Sequence, residues 1–363
     1  MDIGSGSGSV LDLGAILADR MLTIAGADEI RDCASHVSSS TGGLVVTGDK
    51  QPAGLAGLAA AYPGLPLFRE PVAPSQYTAT AEAPFDLSAP DELFPLDLNE
   101  VLDGQGAGGA TGAITPTGYI PSGAADAMKA VVEIANGLDR NDVLVWLPCH
   151  WTWAREPQVT QLIAIARRSR HPIALSLANP TDPLDNKRVP AGLRRVIAEV
   201  PRLVPWRIDL AGIDALVQGA TATAIGLLPS TRHITEPGKS GFSSKPGEKA
   251  PHIFMSDLLR FVKTSRMRDD WFASIPAPDC GCAICNGQPI DRFDGSNGSR
   301  LLGHLHNVVR LTELHTELLD SGPTRQTWWR ERLQDAHAAH QALEGRASTK
   351  VKFPEVLDFW AKN

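Results

Sequence analysis

Cys280, Cys282 and Cys285 stand in C-x-C-x2-C spacing, and twenty residues separate Cys285 from His306. Thiolates this close in sequence can converge on one cation, and an imidazole delivered by the next helix completes a tetrahedral Cys3His set. Four protein ligands leave no open position for water, so the expected zinc is structural and not a Lewis acid for catalysis. Three of the chain's five cysteines fall within six positions, which suits a metal site better than a disulfide framework. The segment Ser299 to Leu319 carries leucine and histidine at helical intervals. On that helix Leu302, His306 and Val309 share one face and His304 points elsewhere, which makes His306 the expected fourth ligand.

This cysteine run, followed by a helix containing Leu305-His306-Asn307, resembles the zinc subdomain of the tRNA-guanine transglycosylases, zinc-containing TIM barrels that exchange a base within nucleic acid. The resemblance implies Cys280, Cys282, Cys285 and His306 as zinc ligands, although the spacing to the histidine is shorter than the family usually shows. Ile213 to Ala220, Thr221 to Leu228 and the turn Pro229-Ser230-Thr231-Arg232 are similar to the family's late helix, strand and "LPTR" turn. In that comparison the family's nucleophilic aspartate falls on Gly226, and glycine cannot attack an anomeric carbon. The glycine-rich base-recognition segment and the early "DSGGF" element are not recognisable. The resemblance therefore implies a zinc-stabilised barrel directed at tRNA or DNA. Such a barrel is either active through another carboxylate or a noncatalytic binding subunit in a homo- or hetero-oligomer.

The elements that must position these residues alternate along the chain. Leu44 to Thr47, Leu67-Phe68, Ala113 to Thr115, Val143 to Leu147, Ile173 to Leu177, Trp206 to Leu210 and Ala222 to Leu228 read as strands. Most are continuous apolar runs, the pattern of parallel strands covered on both faces. Between them lie amphipathic stretches such as Ala124 to Leu138, Glu156 to Arg168 and Ala191 to Val200. Alternation of this kind predicts βα units closing into a TIM-type barrel over residues 21–255. A flexible segment and first helix (1–20) precede it, and a zinc-binding helical module (256–363) is appended. Gln76 to Gly112, acidic and proline-rich, reads as an inserted loop, and Ile234 to Pro251 as a Gly/Ser/Lys/Pro-rich loop on the catalytic face. Arg325 to Leu343 reads as a terminal helix whose Trp328 and Trp329 pack into a core.

Functional side chains of such a barrel cluster where strands end. There the sequence offers Asp209 and Asp49 as candidate nucleophile or base, with Arg207, Arg232, His233 and His150 as candidate substrate contacts. Arg207 and Asp209 alternate along one strand and are expected to point together into the barrel, as a site or as a buried ion pair. A third reading is an unrelated TIM-barrel enzyme for a small anionic substrate, held by the loop after Arg232. The formal net charge of −7 argues against nucleic-acid binding by overall electrostatics. A local basic strip from Lys239 to Arg268 remains compatible with it. The 43% hydrophobic content suffices for a full core. No apolar run reaches membrane-spanning length, and the first residues lack a secretory pattern. The sequence therefore predicts a cytoplasmic protein.

Overall fold

The computed structural model describes residues 12–48, 55–88, 96–239, 248–347 and 349–363. Eight parallel strands form one sheet in the order β3-β2-β1-β8-β7-β6-β5-β4. They are β1 Arg20–Gly26, β2 Gly42–Thr47, β3 Leu67–Arg69, β4 Ala113–Ile114, β5 Val143–His150, β6 Ile173–Ala178, β7 Leu203–Ile208 and β8 Ala222–Gly226. The barrel expectation holds. Side-chain alternation shows why continuous apolar runs were needed. On β5, Leu144 and Trp146 point into the barrel while Val143, Val145, Leu147 and Cys149 meet the surrounding helices. The interior pairs large with small: Phe68, Trp146 and Trp206 fill the space left by Ala174, Ala178, Ala222 and Ala224. The Phe68 and Trp206 rings meet edge-on at 90° with centroids 6.5 Å apart.

Helices α1 Leu13–Leu17, α2 Ile30–Ala34, α3 Leu55–Ala61, α4 Ala73–Gln76, α5 Leu98–Ala107, α6 Ala125–Asn136, α7 Gln158–Ala166, α8 Val189–Glu199 and α9 Ala211–Val217 surround or close the barrel. Leu13 and Leu17 of α1 belong to the interior cluster and plug the end opposite the mouth. Beyond β8 come the hairpin β9 His252–Met255 and β10 Arg260–Lys263, helix α10 Thr264–Arg266, and the small hairpin β11 Asp279–Cys280 and β12 Gln288–Pro289. The long helices α11 Asn297–Asp320 and α12 Arg325–Arg346 and the short α13 Glu355–Lys362 complete the chain. Among the described residues no helix is long and apolar enough to cross a membrane.

Three local expectations change. The eighth strand, β1, follows α1 directly, and Asp19 at φ 56° breaks the chain between them. The leucine- and alanine-rich run ahead of it reads as continuing helix, which hides the strand. The segment 76–112 is not simply a loop: it contains α5, opened by a capping box in which Asp97 and Glu100 exchange hydrogen bonds with the backbone. The Gln105 carboxamide of α5 then bonds Ile114 N at 2.9 Å and Ile114 O at 2.8 Å. It stands where a neighbouring strand would, on the edge of β4 that faces β3. Thr111 N donates to Leu67 O at 2.7 Å and completes the seam.

The third change concerns the C-terminal residues. Leu305 and Val308 of α11 share a core with Ile30, Leu44 and Leu227, and Leu311, Leu314 and Leu318 join the main helical layer. α11 therefore covers the barrel between β8 and β1 as the helix of its last βα unit, with the hairpins of 252–289 inserted ahead of it. The boundary expected at residue 256 cuts through this unit.

Candidate functional site

The four expected ligands converge. Three sulfurs surround His306 Nδ1, with Cys280 at 3.7 Å, Cys282 at 3.4 Å and Cys285 at 3.2 Å. All four ligand atoms lie within 4.8 Å of one another, and all four residues are buried. Bonds of ~2.3 Å to sulfur and ~2.0–2.1 Å to nitrogen at a tetrahedral angle require a sulfur–nitrogen separation of about 3.6 Å, so a tetrahedral ion fits. The β11–β12 turn brings the thiols together: Asn286 N and Gly287 N close onto the carbonyls of Cys282 and Cys280, with Asn286 at φ 48° and Gly287 at φ 78°. His306 Nε2 lies 2.9 Å from Phe254 O, which fixes the ring and leaves Nδ1 facing the sulfurs. The Cys282 thiol is held well below its ordinary range, first by the Cys285 thiol and then, against burial, by His306. The same contact raises the Cys285 thiol, which a bound metal would deprotonate.

At the C-terminal end of the strands a cleft of about 1360 Å³ runs from the barrel mouth to the metal-bearing segment. Trp146, Thr47, Thr181 and Arg207 belong to its barrel side, and Lys249, Lys263, Arg266, Arg300 and His304 to its far wall. Six arginines and lysines line the cleft against three carboxylates, Glu248, Asp269 and Asp270. The local balance thus opposes the net charge of −7.

The sequence-derived candidates divide across this region. Arg207 and His233 line the cleft. Arg207 and Asp209 do not point together, because β7 bulges: the register against β8 shifts between Trp206 and Ile208, and Arg207 takes φ 52°. Trp206 turns inward, Arg207 rises at the mouth, and Asp209 leaves the strand to accept a hydrogen bond from Ala211 N at 3.1 Å. Asp209 faces a small pocket shared with Asp182 and Arg232, which Arg207 and His233 also line. Burial there pushes the Asp182 carboxyl well up, and nearby Asp209 adds to the effect. Arg232 is not free for substrate: its guanidinium donates to Gly226 O at 3.1 Å and Leu227 O at 3.0 Å and sits 3.4 Å from the Phe261 ring centre. Burial lowers its pKa to about 9. His150 ends β5 with Nδ1 2.8 Å from Thr152 Oγ1 and Nε2 3.9 Å from Glu236, and it is absent from the described cleft wall. Asp49 lies outside the described residues.

Glu70 went unnoticed in the sequence because the strand before it is only three residues long. Its side chain is fully buried beneath Arg207, whose Nε reaches both carboxylate oxygens at 3.0 and 2.9 Å and whose Nη2 lies 2.5 Å from Oε2. Trp206 Nε1 donates to Oε1 at 2.6 Å. The expected Arg207–Asp209 pair is thus replaced by Arg207–Glu70, joining β7 to the end of β3. At Gly226, a Cβ would stand 2.3 Å from the Thr231 carbonyl carbon and oxygen. The turn 229–231 closes that position to any side chain.

No family model matches the chain. No curated protein matches it. Among solved structures, a 3-hexulose-6-phosphate synthase is similar at 15% identity, covering 56% of this chain and 89% of its own, with a TM-score of 0.32. A triosephosphate isomerase from Bartonella henselae is similar at 11% identity, covering 57% and 92%, TM-score 0.31. Tryptophan synthase from M. tuberculosis follows at 12% identity, covering 58% and 84%, TM-score 0.30. Likenesses at this level bear on no activity. The class rests on the strand order and the Cys3His cluster described above: a TIM-type barrel with a cluster that could hold a metal ion between β8 and α11.

Proposed function

We propose that this protein is a zinc-stabilised barrel of the tRNA-guanine transglycosylase type that seats a nucleic acid along the cleft and works on a base at the barrel mouth. The observation that carries the reading is the cleft itself: its lining, from barrel to cysteine segment, holds six arginines and lysines against three carboxylates, with Arg207, Lys263 and Arg266 ion-paired, on a protein of net negative charge. Phosphate contacts position a nucleic acid in such a wall and leave its bases free for the mouth. Zinc is the ion that three thiolates and an imidazole in tetrahedral array suit. Exchange of a base needs a carboxylate near the sugar carbon, as nucleophile or as stabiliser of an oxocarbenium-like state. Asp209, in the small pocket that Arg207 and His233 also line, is the leading candidate, beside Asp49, while Glu70, fully buried under Arg207 and Trp206, holds that arginine in place.

A second reading, a noncatalytic binding subunit of the same type, draws on Gly226, where no nucleophile fits. The two separate in one experiment: incorporation of labelled guanine or a deazaguanine into tRNA and DNA by wild type and Asp209→Asn. The first reading expects incorporation by wild type and none by Asp209→Asn. Binding without incorporation supports the subunit reading, and wild type that binds neither nucleic acid sinks both.

A further inference from the structure

The small pocket at the ends of β6 and β7 has a size and a lining that base binding does not explain. It encloses about 20 Å³, enough for one water, which needs roughly 10–15 Å³, and far too little for a base. Arg207 and His233 line both this pocket and the cleft, so the two spaces adjoin. Asp182 Oδ1 accepts a hydrogen bond from Leu184 N at 2.9 Å, and Asp209 Oδ1 accepts one from Ala211 N at 3.1 Å. Each Oδ2 is left without a hydrogen-bond partner among the described residues, and neither is sealed from solvent. Arg232 is only 5% exposed and commits Nε and Nη2 to the carbonyls of Gly226 and Leu227. Its Nη1 has no partner among the described residues and is likewise unsealed. Both carboxyls act on the Arg232 charge, yet neither comes close enough to form an ion pair with it. Two carboxyls and a buried guanidinium thus stand around a gap of one water's size, with three open polar atoms, the number of partners a buried water takes.

We propose that this pocket is a water site and that the protein transfers the sugar to that water as well as to a base, releasing the base by hydrolysis with Asp182 as general base. The inference rests on base chemistry at the mouth and names a second acceptor for the same site. The water accepts from Arg232 Nη1, donates to Asp209 and Asp182, and keeps one lone pair for the sugar carbon. Asp209 stabilises the oxocarbenium-like state. The water oxygen bonds to the carbon, the C–N bond breaks with its electron pair leaving on the base, and Asp182 takes the water's proton. The departing base takes a proton from the solvent of the cleft, and Asp182 later returns its own there, so none is gained or lost. Burial and the neighbouring Asp209 push the Asp182 carboxyl well up, which makes its ionised form a stronger base than an ordinary carboxylate.

The experiment uses the full zinc-loaded chain with tRNA and with DNA carrying labelled guanine, first without added base and then with a deazaguanine. Free labelled base, together with abasic sites trapped by an aldehyde-reactive label, reports hydrolysis; entry of the deazaguanine reports exchange. Wild type is expected to release base and to leave one abasic site for each base released. Asp182→Asn, which keeps an acceptor for Leu184 N, should slow release at least about 100-fold while changing incorporation by no more than about twofold. Asp209→Asn should lose both. Asp185→Asn, at an exposed carboxylate outside the pocket, should change neither. Release by wild type without incorporation keeps the water site and removes both exchange and the noncatalytic reading. Incorporation without release, or release by Asp182→Asn at the wild-type rate, overturns the water site and leaves exchange standing. Neither product from wild type overturns both.

Discussion

Replacing Glu70 by glutamine tests what holds the barrel mouth together. The Glu70 side chain is fully buried and the Arg207 side chain is 17% exposed, so solvent screens the pair little. Glutamine keeps an acceptor for Trp206 Nε1 but turns an amide towards Arg207, leaving a guanidinium unpaired at the mouth. Removing one partner of a buried ion pair costs ~3–5 kcal/mol, and the retained Trp206 bond puts this case near the low end, about 3 kcal/mol. For a chain of 363 residues that corresponds to a fall of roughly 4 °C in Tm. Arg207→Met alone should cost a similar amount by stranding the carboxylate. The double variant should cost about 3–4 kcal/mol, short of the ~6 kcal/mol of two independent changes, because no charge is left stranded although the glutamine amide stays buried. Methionine bears the same left-handed backbone cost as arginine at φ 52°, so the cycle isolates the pair. Equilibrium urea unfolding of the four proteins gives the coupling energy, expected at about 2–3 kcal/mol. A coupling below about 0.5 kcal/mol would refute the reasoning that Glu70 and Arg207 act as a unit.

Three other outcomes follow from the same geometry. Mass spectrometry for metals should find one zinc per chain, and Cys282→Ala should bring it close to zero; undiminished zinc in that variant rejects the Cys3His site. Gly226→Ala places a Cβ 2.3 Å from the Thr231 carbonyl and should destabilise by about 2–3 kcal/mol in thermal or urea unfolding, whereas a wild-type midpoint would mean that the turn moves aside freely. Burial and Asp209 raise the Asp182 carboxyl above its unfolded value. Its stabilising contribution is complete below the unfolded pKa and is lost as pH rises through the folded one, so Asp182→Asn should gain on wild type in Tm between pH 4 and pH 8, and parallel curves would contradict this.

The sequence made legible whatever local pattern decides. Seven of eight strands were visible because a strand covered on both faces must be apolar along its length, as Val143 to Leu147 and Ile173 to Leu177 are. β1 escaped because Arg20 and Thr23 interrupt it and α1 runs into it. The metal ligands were visible because three lie within six residues. Arg207 and Asp209 were misplaced because a bulge inverts the alternation on which their pairing depended, and a bulge leaves no mark in composition. Glu70 matters through partners far away in sequence, Trp206 and Arg207, and the sequence alone does not specify which distant side chains it meets.

α11 is long enough to act as a strut. Its 24 residues extend ~36 Å at 1.5 Å per residue, and they touch both ends of the barrel. Near the start Arg300 and His304 face the mouth; near the end His315 Nε2 lies 3.0 Å from the carbonyl of Asp19, just before β1 begins. Tied at one level to the cysteine hairpin through His306, as a bound metal would tie it, and at another to the barrel floor, the helix has two anchorages against tilting. Chelating the metal should therefore speed amide hydrogen exchange around Asp19 as well as in the cysteine hairpin, because slack released at the top of a rigid rod is felt at its foot.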